Sequence, residues 1–341
     1  MNYKNILIIQ TAFLGDVILT LPLLQKLKEK FPDASIDFLC IPETSELVKN
    51  NPYINEIISY DKKNSGLFGF ISLIKKLRSK NYNLLISPHR SFRSSLISFL
   101  SSSEKTVSFD KSSLSFLYNE KVNYQSDIHE IKRNLSLVSI LGITSDEIIK
   151  PELFVSVQDR RKVDSLFYEY RVKPEEKFVT IAPGSVWFTK KFPEEKFAKL
   201  CDLLFNVNTK IFLIGGKKDK PASDFIQNNS KNRNIINVTG NLSIMESAEL
   251  IKRSKVLVTN DSAPLHIANA METDVIAIFG ATVPAFGFYP IGKNDVIVET
   301  NGLSCRPCGI HGGKKCPIGT FVCMKDIDER LISIAIKNFL S

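Results

Sequence analysis

The sequence lacks any long uncharged apolar run. No stretch of its 341 residues approaches the ~18 apolar residues that a transmembrane helix needs. Residues 1–24 resemble a secretion signal only superficially, because Gly15, Asp16 and Pro22 interrupt the apolar run and no small-residue cleavage site follows. These absences predict a cytoplasmic protein.

Low-complexity segments are also missing, and the composition is that of an ordinary globular protein, with 43% hydrophobic and 24% charged residues. This excludes a disordered chain, a collagen-like repeat and a small protein held together by disulfides. The length is roughly twice the ~150 residues typical of one domain, which predicts two domains.

Acidic residues are absent from segment 62–103, although the whole chain carries 36 of them against 45 basic residues. A region of one sign attracts an anionic surface, such as nucleic acid, phospholipid or a phosphorylated glycolipid, but it also fits the solvated face of a helix. Both interpretations stay open at this point. The basic residues of the segment are Lys62, Lys63, Lys75, Lys76, Arg78, Lys80, Arg90 and Arg93.

Short β-rich runs alternate with helical patterns along both halves of the chain. This alternation predicts an α/β protein made of two doubly wound, Rossmann-like domains that face each other across a cleft. The predicted domains are 1–160 and 174–324, followed by a terminal helix at 325–341. The predicted strands are 5–10, 35–40, 83–87, 178–182, 210–214, 255–259 and 275–279.

The first predicted strand runs into a loop and a helix that carry Gly15 and Asp16. Gly15 permits a close backbone approach or a left-handed conformation. Asp16 is expected at or beside the helix N-terminus, where it is either a cap without catalytic duty or a general base at the mouth of the cleft.

A second strand-to-helix junction is VTNDSAPLH at 258–266. Asp261 or Ser262 suits the cap and Pro264 the first turn, and the exposed amides of such a helix end form a phosphate site. His266 follows about one turn later, and its place among other polar groups favours ligand contact over a structural role.

Segment 182–193 follows the first strand of the second domain and supplies donors for a diphosphate, namely Ser185, Lys190 and Lys191. Gly215 and Gly216 lack the third glycine of a dinucleotide fingerprint and the Lys-Ser of a P-loop. P-loop NTPases and Rossmann dehydrogenases are therefore disfavoured.

Taken together, these segments resemble the heptosyltransferases of glycosyltransferase family 9, which have the two-domain GT-B fold. The matching segments are QTAFLGDVILTLPLL (10–24), HRSFRS (89–94), HEIKRN (129–134), APGSVWFTKKFPEEKF (182–197), NDSAPLHIANA (260–270) and FGAT (279–282).

The resemblance implies an inverting, metal-independent enzyme that moves a heptose from ADP-heptose to the inner core of lipopolysaccharide. It places Asp16 as general base, the acceptor in the first domain and the donor in the second. The expected donor-binding residues are Ser185, Lys190, Lys191, Glu246, Asp261, Ser262, Ala263 and His266. The expected acceptor-binding residues are Gly15, His89, Arg90, Arg93, His129 and Arg133.

Two departures leave the donor open. Ala263 stands where the family commonly has glycine, and Phe192 stands where tryptophan is frequent. The alternative is a GT-B transferase that uses another nucleotide sugar for a different surface glycan, and a non-catalytic sensor of sugar nucleotides is a further one. A nucleic-acid partner is disfavoured, because Asp16, Glu246 and Asp261 at the cleft would repel a phosphate backbone.

The resemblance also implies peripheral contact with the cytoplasmic face of the inner membrane, which the basic segment would favour. Four phenylalanines of that segment either touch lipid or pack in the core, the latter being the more frequent fate of such residues. They are Phe68, Phe70, Phe92 and Phe99.

Six cysteines are present. Cys40 and Cys201 are isolated and expected to be buried. The other four follow the spacing Cys-x2-Cys-x7-Cys-x6-Cys, which in a cytoplasmic protein suits a structural zinc site better than disulfides, with His311 as a possible substitute ligand. These four are Cys305, Cys308, Cys316 and Cys323. The single Asp-x-Asp pair, Asp326 and Asp328, is expected to cap the last helix rather than bind magnesium.

Overall fold

The computed structural model describes residues 3–145, 147–207 and 209–341. The chain divides into two compact units, Met1–Phe154 and Val155–Ser341. Each unit is a parallel β-sheet with helices between successive strands.

The first unit contains a six-stranded sheet in the order β3-β2-β1-β4-β5-β6. Its strands are β1 (Asn5–Ile9), β2 (Ser35–Cys40), β3 (Glu56–Ser59), β4 (Leu84–Ser87), β5 (Lys105–Phe109) and β6 (Glu120–Val122). Its helices are α1 (Leu14–Lys30), α2 (Pro42–Val48), α3 (Gly66–Ser79), α4 (Phe92–Leu100) and α5 (Glu130–Ser136).

The second unit contains a six-stranded sheet in the order β12-β11-β10-β7-β8-β9. Its strands are β7 (Phe178–Ala182), β8 (Lys210–Leu213), β9 (Ile235–Asn237), β10 (Val256–Asn260), β11 (Val275–Phe279) and β12 (Val296–Glu299). Its helices are α6 (Val157–Glu169), α7 (Glu194–Leu203), α8 (Lys220–Asn229), α9 (Ile244–Arg253), α10 (Ala263–Ala270), α11 (Val322–Lys325) and α12 (Glu329–Leu340).

Counted along its own unit, each sheet has the strand order 3-2-1-4-5-6 of a doubly wound fold, and every pairing is parallel. The central strands are apolar on both faces because helices cover both sides of such a sheet. Four successive residues of β1, Ile6, Leu7, Ile8 and Ile9, are fully buried. The predicted α/β class with two doubly wound domains is confirmed.

Each sheet therefore has one switch point. On one side of it the chain adds its second and third strands, and on the other side its fourth, fifth and sixth strands. The switch point lies between β1 and β4 in the first sheet and between β7 and β10 in the second. Ligands of open α/β sheets bind at the carboxyl ends of the strands beside the switch point. The loops that follow these four strands therefore mark the candidate sites, here named the first crevice and the second crevice.

The helix ends clarify two expectations from the sequence. Helix α1 begins at Leu14, so Gly15 has helical geometry, and of its two possible roles the left-handed conformation is excluded. Helix α5 is followed by a short 3₁₀ turn, Ser139–Leu141. Asp328 is the N-cap of α12, and its side chain accepts a hydrogen bond from the Arg330 amide at 2.9 Å.

The four phenylalanines of the basic segment divide between core and surface. Phe70 is partly buried against an apolar cluster formed by α3, α4 and the neighbouring strands. Phe68, Phe92 and Phe99 are exposed. None of the described helices combines the length and the apolar character that crossing a bilayer requires.

Candidate functional site

The first crevice contains Asp16 in the first turn of α1. Its carboxylate accepts a hydrogen bond from the Phe13 amide at 3.2 Å, so it stabilises the helix N-terminus while remaining half-buried. Capping and a chemical role are compatible here, because a carboxylate has two oxygens and about four acceptor positions.

His89 follows β4, on the other side of the switch point. Its Nδ1 lies 2.9 Å from Thr11 Oγ1 and 3.0 Å from Ser94 Oγ. Burial, with smaller contributions from the charges of Lys62 and Arg90, lowers the pKa of His89 to about 4. The imidazole is therefore neutral near pH 7, so it offers hydrogen bonds to a ligand but no positive charge.

Three cations surround the same loops. Lys62 Nζ donates to the Thr11 carbonyl at 2.8 Å, and Arg93 Nη1 donates to the Lys62 carbonyl. Burial, then repulsion from Arg93 and Lys63, lowers the pKa of Lys62. Arg90 stacks on the Tyr124 ring with its guanidinium carbon 3.8 Å from the ring centroid. The crevice is thus lined by positive charge, as an anionic ligand requires.

Arg133 is only 1% exposed and has the largest fully buried side chain among the described residues. Its guanidinium donates to Glu130 and to three carbonyls of the preceding loop, those of Gln125 (2.6 Å), Ser126 (3.1 Å) and Ile128 (2.8 Å). The side chain therefore organises the loop that leads into α5.

Glu130, the partner of Arg133, was not singled out from the sequence. The pKa of Glu130 is raised to about 7, mainly by burial; Arg133 opposes the shift and the charge of Asp16 adds to it. Asp16 and Glu130 are thus close enough to repel each other when both are ionised. The only sequence signal was the position of Glu130 beside His129 in HEIKRN.

His129 is the buried N-cap of α5, and its Nδ1 accepts a hydrogen bond from the Ile131 amide at 3.2 Å. His129 and Arg133, both expected to bind an acceptor, are thus buried and contact the chain that forms the crevice. Arg90 is half-buried and Arg93 exposed, and both line the crevice itself.

The second crevice is formed by the loops after β7 and β10, which Asn260 joins. Its Nδ2 donates to the Pro183 carbonyl at 2.8 Å and its Oδ1 accepts from the Phe192 amide at 2.9 Å. Ser262 is the N-cap of α10, and its hydroxyl lies 3.4 Å from the Gly184 carbonyl. Pro264 lies in the first turn, as expected.

A buried ion pair lies at this junction. Lys190 Nζ is 2.6 Å from Asp261 Oδ2, with the side chains 14% and 7% exposed, and Thr282 Oγ1 donates to the same oxygen at 2.6 Å. Taking both charges out of water is favourable only because they are paired and hydrogen-bonded. The pair brings together Lys190 and Asp261, two of the predicted donor residues that lie far apart in the sequence.

Asp261 is bound by Lys190 and Thr282, and the loop that carries the cysteines contacts the chain at or beside both of these residues. Gly313 donates to Thr189 Oγ1 at 2.7 Å, directly beside Lys190. Arg306 Nη2 donates to the Thr282 carbonyl at 2.7 Å and to Glu299 at 2.6 Å. These contacts were not apparent from the sequence, because they join residues more than 20 positions apart or belong to an irregular loop.

Gly184 passes close to the Asp219 carboxylate. A Cβ at Gly184 would displace that carboxylate, whose Oδ2 accepts from the Gly216 amide at 3.0 Å. The Asp219 carboxylate therefore caps the loop that starts at Gly216 and also packs against Gly184, next to Ser185. Asp219 was not predicted as part of the site.

Glu246 and His266, two further predicted donor residues, lie in the first turns of α9 and α10. Glu246 forms a capping box with Ser243, in which Glu246 Oε2 accepts from the Ser243 amide at 2.7 Å and Ser243 Oγ accepts from the Glu246 amide at 3.1 Å. His266 is buried, with its ring 6.5 Å from that of Phe288. The remaining predicted residues, Ser185, Lys191 and Ala263, are half-buried in the same loops.

The predicted zinc site is not supported. Across the described ranges, no three or more His, Cys, Asp or Glu side chains are grouped so that they could hold a metal ion. Cys323 packs into the apolar core of the second unit, whereas Cys308 is exposed. Burial raises the pKa of Cys323 to about 11. The loop is held instead by the contacts of Arg306 and Gly313.

Two solved structures share this fold. A glycosyl transferase of family 9 from Veillonella parvula DSM 2008 matches with a TM-score of 0.85 at 21% identity, covering 99% of this chain and 97% of that one. The E. coli ADP-heptose lps heptosyltransferase II matches with a TM-score of 0.81 at 21% identity, covering 99% and 98%. Two doubly wound domains of this kind define the GT-B class of glycosyltransferases.

Sequence comparison gives the family. Residues 70–315 match the model of glycosyltransferase family 9 (heptosyltransferase). Lipopolysaccharide heptosyltransferase 3 of Escherichia coli strain K12 is 30% identical over 285 residues, which cover 80% of this chain and 81% of the relative. The chain belongs to glycosyltransferase family 9 and is a glycosyltransferase.

Proposed function

We propose that this protein transfers a heptose from ADP-heptose to the inner core of lipopolysaccharide, with inversion at the anomeric carbon. Family membership supports the heptose, and the name of the E. coli structure that shares the fold supports ADP-heptose. The observation that carries the proposal is the position of four family-matching motifs at the strands beside the two switch points. Segments 10–24 and 89–94 follow β1 and β4, and segments 182–197 and 260–270 begin at the ends of β7 and β10.

The second crevice would bind the donor diphosphate. The N-terminus of α10 presents the positive end of a helix dipole to an anion, beside Ser262 and Ala263. A lysine ammonium has three donors, so the contact of Lys190 with Asp261 leaves two N–H groups for phosphate oxygens. Lys191 adds a second positive charge. This electrostatic stabilisation would let the diphosphate depart without a metal.

The other donor-side residues would hold the sugar and the nucleoside. Glu246 uses one oxygen in its capping box, and its second oxygen would accept from donor hydroxyls. Ser185 and His266 would hydrogen-bond the phosphates from the two sides of the switch point. Asp261 would position Lys190 rather than touch an anion, because a carboxylate beside a diphosphate is repelled.

Asp16 would act as the general base. An acceptor hydroxyl must lose its proton as it attacks the anomeric carbon, and a half-buried carboxylate within hydrogen-bond reach can accept that proton. A single displacement of this kind inverts the anomeric centre.

The acceptor's negative groups would be bound by the cations of the first crevice. Arg90 and Arg93 present guanidinium groups, which bind carboxylates and phosphates in a bidentate way. Neutral His89 would contribute hydrogen bonds, and Gly15 would allow close approach to the end of α1. Buried His129 and Arg133 would act indirectly by fixing the loop that carries Tyr124, on which Arg90 stacks.

The test is a donor comparison with purified protein. ADP-heptose and a set of UDP- and GDP-sugars are compared for thermal stabilisation, and transfer to a deacylated core acceptor is followed by mass spectrometry. A heptose-sized mass gain with ADP-heptose alone is the expected result. Transfer only with another donor would move the function to a different surface glycan, which Ala263 and Phe192 would then explain. Binding without transfer to any acceptor would indicate a sensor.

A further inference from the structure

Exposed apolar side chains are concentrated at one end of the first unit. In the first two turns of α3, Leu67 is 71% and Phe68 89% exposed, and Ile71 is exposed on the same side. At the start of α4, Phe92 is 59% exposed. Single exposed apolar residues are normal on a protein surface, but a group of four on neighbouring elements indicates an interaction site. We name Leu67, Phe68, Ile71 and Phe92 the apolar tip.

The two helices that carry the apolar tip lie side by side. Leu73, Ile74 and Leu77 of α3 share an apolar cluster with Ile97 of α4. Arg93, in the first turn of α4, donates to the carbonyl of Lys62, just ahead of α3. The beginnings of both helices are therefore together, at the carboxyl edge of the sheet.

This edge is also where the first crevice opens. Lys62 Nζ donates to the Thr11 carbonyl at 2.8 Å, and Thr11 lies between β1 and the helix that carries Asp16. The apolar tip therefore adjoins the crevice proposed for the acceptor and is not on a remote face.

Charge identifies the kind of partner. Segment 62–103, which includes the whole apolar tip, carries eight basic residues and no acidic one. Lys63, Lys75 and Arg93 are exposed within it. Surfaces that lie in a lipid interface combine phenylalanine and leucine with lysine and arginine, because basic residues are attracted to an anionic leaflet.

We infer that the apolar tip inserts into the interface of an anionic phospholipid membrane. The inference rests on the proposed function in one respect, since an acceptor that is itself a membrane lipid makes docking beside the crevice useful. Insertion would bring the crevice to the depth of the lipid head groups, so that the acceptor sugar reaches Asp16 while its acyl chains stay in the bilayer.

The test is flotation with vesicles of phosphatidylcholine, with and without phosphatidylglycerol. The full-length protein should float with the phosphatidylglycerol vesicles and dissociate at high salt. The double variant Leu67→Ser/Phe68→Ser should bind them at least about tenfold more weakly with an unchanged melting temperature, because both side chains are exposed. The matched control is Tyr168→Ser, which removes a side chain that is 90% exposed on α6.

Activity provides a second readout. The double variant should lose transfer to an acceptor embedded in vesicles and retain transfer to the deacylated acceptor. Equal flotation of the variant and the wild-type protein would overturn the inference. So would a concentration-dependent dimer that the double variant dissociates, because the apolar tip would then bind a second copy. Flotation needs no turnover, so failure of the proposed function would leave this result unaffected, and the reverse also holds.

Discussion

The two crevices have the same position in sheets of the same strand order, but their charges are organised differently. In the second crevice, the carboxylate of Asp261 is neutralised by Lys190 at 2.6 Å and hydrogen-bonded by Thr282. In the first crevice, Asp16 is near a second carboxylate, Glu130, whose pKa is raised to about 7. The fold therefore determines where a site lies, while local partners determine whether a cation or a second carboxylate lies beside its carboxylate.

This difference matches the two tasks in the proposed reaction. A paired and buried carboxylate fixes the lysine that would hold a diphosphate, and it needs no change of protonation during a turnover. In the first crevice, Asp16 would instead accept the proton of the acceptor hydroxyl.

The substitution Asp16→Asn should have the largest effect on activity. Removing a general base is expected to lower turnover by about 10²–10⁴-fold while donor affinity changes by less than about twofold. Steady-state kinetics and calorimetric titration of the donor check the two parts. The control is Asp33→Asn, an exposed aspartate beyond the other end of α1. Retained turnover in Asp16→Asn would remove Asp16 from the role of base.

The substitution Lys190→Met should destabilise the second unit and weaken donor binding. It leaves Asp261 buried without its cation, which costs about 3 kcal/mol in the free energy of unfolding. Adding Asp261→Asn should restore part of that loss, because no unpaired charge remains. Urea unfolding measures the free energy of unfolding of the single and the double variant. Lys199→Met, on the exposed side of α7, is the control. Equal stability of Lys190→Met, the double variant and Lys199→Met would show that the ion pair does not have this effect.

Arg306→Gln should affect donor binding alone. Arg306 is a positioning residue that holds the backbone of Thr282, so its loss should raise the KM for the donor by about tenfold and leave the KM for the acceptor unchanged. The exposed Arg330→Gln is the matched control. An equal rise in both KM values, or a fall in melting temperature that accounts for the whole effect, would show that Arg306 is only structural.

Glu130→Gln should change how stability depends on pH. The folded-state pKa of Glu130 is raised from 4.5 to about 7, so the folded protein binds this proton more tightly than the unfolded chain does. The stabilising contribution is complete below pH 4.5 and is lost as the pH rises through about 7. The difference in melting temperature between wild type and variant should therefore fall over that range, and Glu29→Gln should show no such trend. A difference in melting temperature that does not change with pH would show that the pKa of Glu130 is not raised in the folded protein.

His89→Gln should have the smallest effect on acceptor binding. With a pKa of about 4, His89 carries no charge that a neutral residue would remove. The acceptor affinity of the variant should stay within about threefold of that of the wild type. Between about pH 8 and pH 6, acceptor affinity should change with pH to the same extent in both proteins. Tighter acceptor binding at the lower pH in the wild type alone would indicate that His89 is protonated in the complex.

The sequence predicts the central strands of both sheets and the loops at the switch points, because these strands are continuous apolar runs buried on both faces. It does not predict β3, β6, β9 and β12, which are short strands at the edges of the sheets and have only one neighbour each. Strand β5 was also missed, since its sequence, KTVSF, alternates polar and apolar residues over only five positions.

Site prediction has a similar limit. Asp16, Lys190 and Asp261 stand beside strand ends and could be identified from their motifs. The importance of Glu130 depends on its burial beside Arg133, and that of Arg306 on a carbonyl 24 positions away in the sequence. The predicted zinc site is likewise not supported within the described residues, because cysteine spacing does not show whether the side chains are grouped to hold a metal ion.

The most direct test of the central contrast measures donor binding and transfer on the same preparations of Asp16→Asn and Lys190→Met. Binding of ADP-heptose is followed by calorimetry and transfer by mass spectrometry. Asp16→Asn should bind the donor and fail to transfer, and Lys190→Met should lose donor affinity. Loss of donor affinity in Asp16→Asn, together with normal affinity in Lys190→Met, would contradict this contrast.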